Sequence, residues 1–133
     1  IQMSREELAK GRKSMLTDLC NGDLQHLNAK IIFNAAKQND ALAKELVQSF
    51  ISHLAAGLSS FITIFRPEVI IIGGGIANSG DFLFKPLNEE LSQCTFGASE
   101  IGIPPIIPAS LGNDAGIIGA ALLETNYNEY DYV

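Results

Sequence analysis

The chain has 133 residues, of which 47% are hydrophobic and 18% are charged, with a formal net charge of −6 at pH 7. This length accommodates at most one domain, and the apolar fraction is sufficient for a packed core. The acidic balance argues against a nucleic-acid surface, because such surfaces are rich in Lys and Arg. Most basic residues lie between Arg5 and Lys44, where acidic residues interrupt them, which is typical of a solvated helix face.

The cysteines and histidines do not form a recognisable metal or disulfide pattern. Cys20 and Cys94 lack C-x-x-C spacing. His26 and His53 have no ligand or catalytic partner at a helical offset. We therefore expect two free thiols in a cytoplasmic protein. No uninterrupted apolar run reaches the ~18 residues of a membrane span and no signal peptide is visible, so we expect no contact with a membrane.

The N-terminal segment predicts one helix followed by a polar loop. Ser4 and Glu7 have the spacing of a capping box, in which each side chain satisfies a backbone N–H of the first turn. The helix is predicted to run to about Leu16, and residues 17–27 form the loop. The chain begins with Ile1 instead of Met, which a trimmed tag, processing or a fragment would each explain.

Two further helices are predicted next. Asn28 can cap a helix over about residues 29–38. Asn39 and Asp40 end that helix and start a long one that extends to Phe65. Apolar residues at three- and four-residue spacing predict that the long helix packs one stripe into the core. The stripe comprises Leu42, Leu46, Phe50, Leu54, Leu58, Ile62 and Phe65.

A short apolar run that ends in three glycines organises the rest of the chain. Residues 69–72 read Val-Ile-Ile-Ile after Pro67, which is typical of a parallel strand buried on both faces. Gly73, Gly74 and Gly75 follow it. Such a run makes a tight turn, or it exposes bare backbone N–H groups to a ligand beyond the carboxyl end of the strand.

Two familiar glycine motifs do not fit this run. A dinucleotide fingerprint that starts at Gly73 needs glycine at position 78, where the chain has Asn78. The spacing from Gly75 to Gly80 matches a P-loop, but Asp follows where Lys is required, and a carboxylate repels phosphate. The local sequence therefore leaves two alternatives open, a ligand-binding backbone and a simple glycine-rich turn.

The remaining elements alternate between helix and strand. Residues 81–93 predict a helix, residues 103–109 a short or edge strand interrupted by three prolines, and residues 113–124 a small-residue helix. Residues 126–133 are predicted to be a poorly ordered tail. Alternation of this kind indicates an α/β fold. Two short strands cannot form a stable parallel sheet by themselves, and no catalytic constellation is present. The chain therefore reads as part of a larger domain.

Three segments carry a specific resemblance to a known family. They are residues 28–36 (NAKIIFNAA), 66–76 (RPEVIIIGGGI) and 108–121 (PASLGNDAGIIGAA). In order and spacing they resemble the C-terminal half of a ROK-family protein, over nearly the whole chain up to about residue 124. The ROK family groups repressors, open reading frames and sugar kinases, including bacterial glucokinases.

The resemblance implies an actin/hexokinase-like (ribonuclease H-like) ATPase fold of two α/β domains, with ATP and sugar in the cleft between them. Residues 1–125 would form the C-terminal lobe with an incomplete sheet, and the helix at 113–124 would connect the two domains. The resemblance assigns contacts with the adenosine of ATP, bound with Mg²⁺, to Gly73, Gly74 and Gly75.

The resemblance assigns no catalytic residue and no metal ligand to this chain. The catalytic aspartate, the phosphate-binding loop, the sugar-binding residues and the ligands of a structural zinc would all lie upstream of Ile1. The expected function is that of a C-terminal fragment of an ATP-dependent hexose kinase, inactive alone and part of a homo-oligomer. The effector half of a sugar-responsive repressor and a nucleotide-free packing module are the alternatives, and the intact glycine run favours the kinase.

Overall fold

Seven α-helices and two short strands make up residues 1–126, the part of the chain that the computed structural model describes. In chain order they are α1 (Gln2–Ala9), α2 (Met15–Leu19), α3 (Ala29–Lys37), α4 (Ala41–Phe65), β1 (Ile70–Ile72), α5 (Asp81–Cys94), α6 (Ala98–Ile101), β2 (Ile106–Pro108) and α7 (Ala115–Asn126). Short 3₁₀ turns occur at Leu24–His26, Ala77–Ser79 and Gly112–Asp114. The predicted tail therefore lies, apart from Asn126, outside the described residues.

The N-terminal segment differs from its prediction. The first helix begins at Gln2, so Ser4 lies inside it, 2% exposed, and does not act as a cap. The helix ends at Ala9 instead of Leu16, because Gly11 adopts φ +81°, outside the helical region. The hydroxyl of Ser14 then accepts a hydrogen bond from the Leu16 N–H and starts α2. Burial of Ser4 against the core overrides the local capping signal.

The predicted cap of α3 and the predicted start of α4 are confirmed. The Asn28 side chain accepts a hydrogen bond from the Ile31 N–H at 3.0 Å and caps α3. The Asp40 carboxylate accepts one from the Ala43 N–H at 2.8 Å and caps α4. α4 runs for 25 residues and ends at Phe65, and Arg66, which follows it as the C-cap, has a left-handed φ of +48°.

The core lies where α4 packs against α3 and α5. Because α4 faces two helices, its buried face is offset from the predicted single stripe. Phe50 and Phe65 of that stripe are 36% and 68% exposed, whereas Val47 and Ile51, outside it, are almost fully buried. The described residues that α4 buries are Leu42, Ala43, Leu46, Val47, Ile51, Ala55 and Ile62.

α4 also has the length and composition to cross a membrane, with a mean hydropathy of 1.3 in its most apolar window. A single helix of this kind is weak evidence for a membrane span, since core helices of soluble proteins meet the same criteria. In this structure 22% of that window is buried.

The two strands pair in parallel, with Ile70 opposite Ile106 and Ile71 opposite Ile107. Both predicted strands are present, each three residues long. The expectation that the first is buried on both faces is wrong for the described residues. Ile70 and Ile72 pack against the core, while Ile71 is 61% exposed on the opposite face. Helix α6, between α5 and β2, has no counterpart among the predicted elements. Helix α7 starts close to its predicted position.

Candidate functional site

The glycine turn at Gly73–Gly75 leads from the carboxyl end of β1 toward α5. Gly74 adopts φ +80°, which side chains rarely tolerate, and its carbonyl accepts a hydrogen bond from the Ala77 N–H at 3.2 Å. A Cβ at Gly73 would lie 3.6 Å from the Cβ of Ala109, in ordinary contact with the segment after β2. At Gly75 an added Cβ would meet no atom within 4 Å. Gly74 therefore requires glycine for the shape of the turn, Gly73 packs against the segment after β2, and Gly75 leaves space beside the turn.

A cleft of about 530 Å³ lies between this turn and α3. A volume of this size falls within the range of small-molecule and cofactor sites. One wall is the turn and the other is a face of α3. The lining residues are Asn28, Ala29, Lys30, Phe33, Asn34, Lys37, Gly75, Ile76, Asn78 and Ser79. Of the three glycines predicted to bind adenosine, Gly75 alone lines this cleft.

The α3 wall is the part of the site that sequence reasoning missed. Its members recur at positions 30, 33, 34 and 37, which lie on one face of a helix. That spacing was available in the sequence as a signal. What the sequence did not reveal is that this face lies opposite the turn at residues 75–79, since that distance depends on tertiary packing.

Aromatic contacts hold the α3 wall in place. Phe33 is 5% exposed, and its ring lies edge-on to Phe50 at 6.0 Å and to Phe82 at 6.3 Å between centroids. Phe82 belongs to the first turn of α5, so these contacts connect α3 to the helix that follows the glycine turn. The Lys37 ammonium lies 5.7 Å from the centroid of the same Phe82 ring. Phe33 and Phe82 therefore connect α3, one wall of the cleft, to α5, the helix that follows the other wall.

The charge of the cleft is positive. Lys30 and Lys37 are its ionisable lining residues, and no carboxylate is among them. The nearest acid along the turn, Asp81, pairs with Lys85 at 2.8 Å. Such a lining suits an anionic ligand. No group of three His, Cys, Asp or Glu side chains that could hold a metal occurs among residues 1–126, and Cys20 and Cys94 are free thiols.

A second cavity of about 390 Å³ lies beyond Phe33, between α1 and α4. It shares Ala29, Phe33 and Ile76 with the cleft, but its lining is mostly apolar. It contacts neither lysine and none of the three glycines. The cleft beside the glycine turn is therefore the better candidate for a nucleotide site.

Comparison with known proteins agrees with the family resemblance. The ROK family matches residues 6–126. Glucokinase from Thermotoga maritima is 37% identical over 117 residues, which cover 88% of this chain and 36% of that protein. Glucokinase from Streptomyces coelicolor is 30% identical over 110 residues, covering 83% of this chain and 35% of that protein. The chain thus spans about a third of the length of the curated relatives it matches.

Solved structures show the same fold. A ROK-family glucokinase from Streptomyces griseus, in complex with glucose and AMPPNP, superposes with a TM-score of 0.73 at 28% identity, covering 82% of this chain and 35% of that one. A homologue of the Escherichia coli MLC protein, a ROK-family transcriptional regulator, gives 0.69 at 22% identity, covering 93% of this chain and 30% of that one. At 22% identity, the match to the MLC homologue shows similarity of fold alone. The chain belongs to the ROK family, and its helices and two-stranded sheet form part of the actin/hexokinase-like fold of ROK sugar kinases.

Proposed function

We propose that this chain is the C-terminal part of an ATP-dependent sugar kinase that phosphorylates a hexose, with glucose as the first candidate. The observation that carries the proposal is the cleft between the glycine turn and α3. It lies beyond the carboxyl end of a parallel strand, where α/β proteins bind ligands. The sequence identity of the chain to glucokinases supports ATP as the ligand. So does the similar Streptomyces griseus structure, which is a complex with glucose and the ATP analogue AMPPNP.

In this proposal the cleft holds the adenosine half of ATP. Gly75 allows the ribose or base to approach the backbone closely, because it adds no side chain to the wall. Phe33 and Ile76 supply the apolar part of the lining. Lys30 and Lys37 make the cleft attractive to a ligand that carries phosphates. Gly74 acts through the shape of the turn, and Gly73 through its contact with the segment after β2.

This chain contributes nucleotide contacts and not the chemistry. Phosphoryl transfer requires Mg²⁺ at the phosphates and a base for the sugar hydroxyl. The described lining offers no carboxylate for either role. We place the catalytic aspartate, the sugar site and the ligands of a structural zinc upstream of Ile1, in a cytoplasmic protein.

The test is a coupled assay of the longer protein with ATP, Mg²⁺ and a panel of hexoses. We expect phosphorylation of glucose by the longer protein and no turnover by the 133-residue chain. Turnover that copurifies with the 133-residue chain would refute the division of roles. Lack of ATP-dependent phosphorylation of any sugar by the longer protein would refute the kinase itself.

A sugar-responsive repressor is the second candidate, because the MLC homologue has the same fold over this segment. The two functions differ in what they require of the cleft. A repressor does not need an ATP site, whereas a kinase needs one. Calorimetric titration of the longer protein with ATP separates them: binding supports the kinase, and a specific DNA complex released by sugar, without ATP binding, supports the repressor.

A further inference from the structure

Asn34 is a polar residue of the cleft whose side chain is free to bind a ligand. Its amide is exposed and makes no hydrogen bond within the described residues. Asn28 lines the same wall, but its amide oxygen is occupied by the Ile31 N–H, and its nitrogen donates to the His26 carbonyl at 3.4 Å. The wall that α3 presents therefore has one uncommitted amide.

The position of Asn34 on α3 is well defined. It follows Phe33, whose buried ring is held by edge-on contacts with Phe50 and Phe82. Lys30 and Lys37 lie about one turn before and after Asn34 on the same face. The lysines can only donate hydrogen bonds, whereas an amide can both donate and accept. On this wall, Asn34 is therefore suited to a group that presents a donor beside an acceptor.

We infer that Asn34 reads the base of the bound nucleotide and selects adenine, an inference that rests on the proposed function. Adenine presents an N6–H donor beside the N7 acceptor, and an asparagine amide pairs with both at once. Guanine and hypoxanthine present two acceptors, O6 and N7, along the same edge. The Asn34 amide oxygen accepts from N6–H and its N–H donates to N7, so the nucleotides with O6 lose one of the two bonds.

The test compares ATP, ITP and 7-deaza-ATP by calorimetric titration of the longer protein. ITP replaces the N6 amino group with O6, and 7-deaza-ATP removes the N7 acceptor. We expect the wild type to bind ATP about tenfold more tightly than either analogue, within the usual discrimination of one bidentate pair. Asn34→Ala removes both hydrogen bonds to ATP but only the remaining N7 bond to ITP, so it should weaken ATP about tenfold more than ITP and bring the ATP-to-ITP ratio close to one.

Two further variants complete the design. Gln38→Ala removes an exposed amide from the end of the same helix, outside the cleft, and should preserve the ratio. Asn78→Ala tests the opposite wall, and loss of the ratio in that variant, but not in Asn34→Ala, would overturn the inference. Alanine favours helices more than asparagine does, so Asn34→Ala is expected to fold.

The remaining outcomes are equally decisive. Equal binding of ATP and ITP by the wild type, or an unchanged ratio in Asn34→Ala, would overturn the role of Asn34 and leave the kinase in place. If the wild type binds no nucleotide at all, the proposed function fails with it. The two failures are therefore distinguishable in one set of titrations.

Discussion

Gly74 and Gly75 are neighbours in the same turn, but they adopt different backbone conformations. Gly74 has φ +80°, whereas no positive φ occurs at Gly75, and an added Cβ meets no atom within 4 Å at either position. We expect Gly74→Ala to lower the free energy of unfolding by about 1 kcal/mol or more, because alanine is strained at positive φ. Gly75→Ala should be close to neutral. Urea denaturation of both variants checks this, and an equal cost at the two positions would contradict it.

Gly75 also provides a test of the proposed nucleotide site. Gly75→Val adds a side chain to the wall of the cleft without backbone strain, and we expect ATP affinity to fall at least about tenfold, because overpacking a fitted site costs roughly 1–3 kcal/mol. Gly57→Val in α4 adds the same side chain outside the cleft and serves as the control. Calorimetric titration with ATP measures both. Unchanged affinity in a folded Gly75→Val protein would favour the alternative of a glycine turn that binds nothing.

At the scale of elements, Asp40 joins α2 to α4. Its carboxylate accepts hydrogen bonds from the Ala43 N–H, the Met15 N–H and the Ser14 hydroxyl, at 2.8–2.9 Å. Partial burial raises the pKa of Asp40, but these hydrogen bonds outweigh burial and hold the pKa below its ordinary value of 3.8. The contribution to stability is therefore complete above the unfolded-state pKa, and it is lost as the pH falls through the lower folded-state pKa.

We expect Asp40→Ala to destabilise the protein by about 1–2 kcal/mol at pH 7, the upper part of the range for loss of an N-cap. The difference from the wild type should shrink as the pH is lowered below 3.8. Asp18→Ala removes an exposed carboxylate of α2 that makes no side-chain hydrogen bond within the described residues, and it serves as the control for loss of a carboxylate. Thermal melts between pH 3 and pH 7 provide the measurement, and a constant difference for Asp40→Ala would contradict the capping role.

The elements that the sequence predicts well are those with strong local signals. Asn28 and Asp40 begin helices because their side chains bond to the first turn, independently of the rest of the fold. Ser4 carries an equally clear local signal, but the cap predicted there is wrong, because its helix is positioned by burial against the core. The candidate cleft divides in the same way. Gly75, which lines it, belongs to a glycine run that is visible in the sequence, whereas the position of the α3 wall depends on the contact of Phe33 with Phe82, 49 positions later, which no local pattern reveals.

At the scale of the whole molecule, large apolar surfaces are uncovered in the described residues. The end of α4 exposes Phe61, Ile64 and Phe65 by 59%, 72% and 68%. The sheet exposes Ile71 and Ile107, which are paired in register on the face away from the core. Contiguous apolar surface of this kind marks an interface or an aggregation site. In the kinase we propose, the remainder of the domain covers these faces and supplies further strands.

The 133-residue chain alone is therefore expected to self-associate, at least to a dimer. Within residues 1–126, β1 pairs with β2 on one side and with no strand on the other, and an unpaired edge beside apolar faces recruits other chains. Light scattering across a concentration series measures the effect, and a monodisperse monomer at high concentration would contradict it. The double variant Phe61→Glu, Phe65→Lys replaces the exposed rings, which stack at 5.8 Å, with an i,i+4 ion pair that favours the helix. If the α4 surface drives association, this variant should shift the population toward monomer, whereas an unchanged mass would assign association to the sheet face and its open edge.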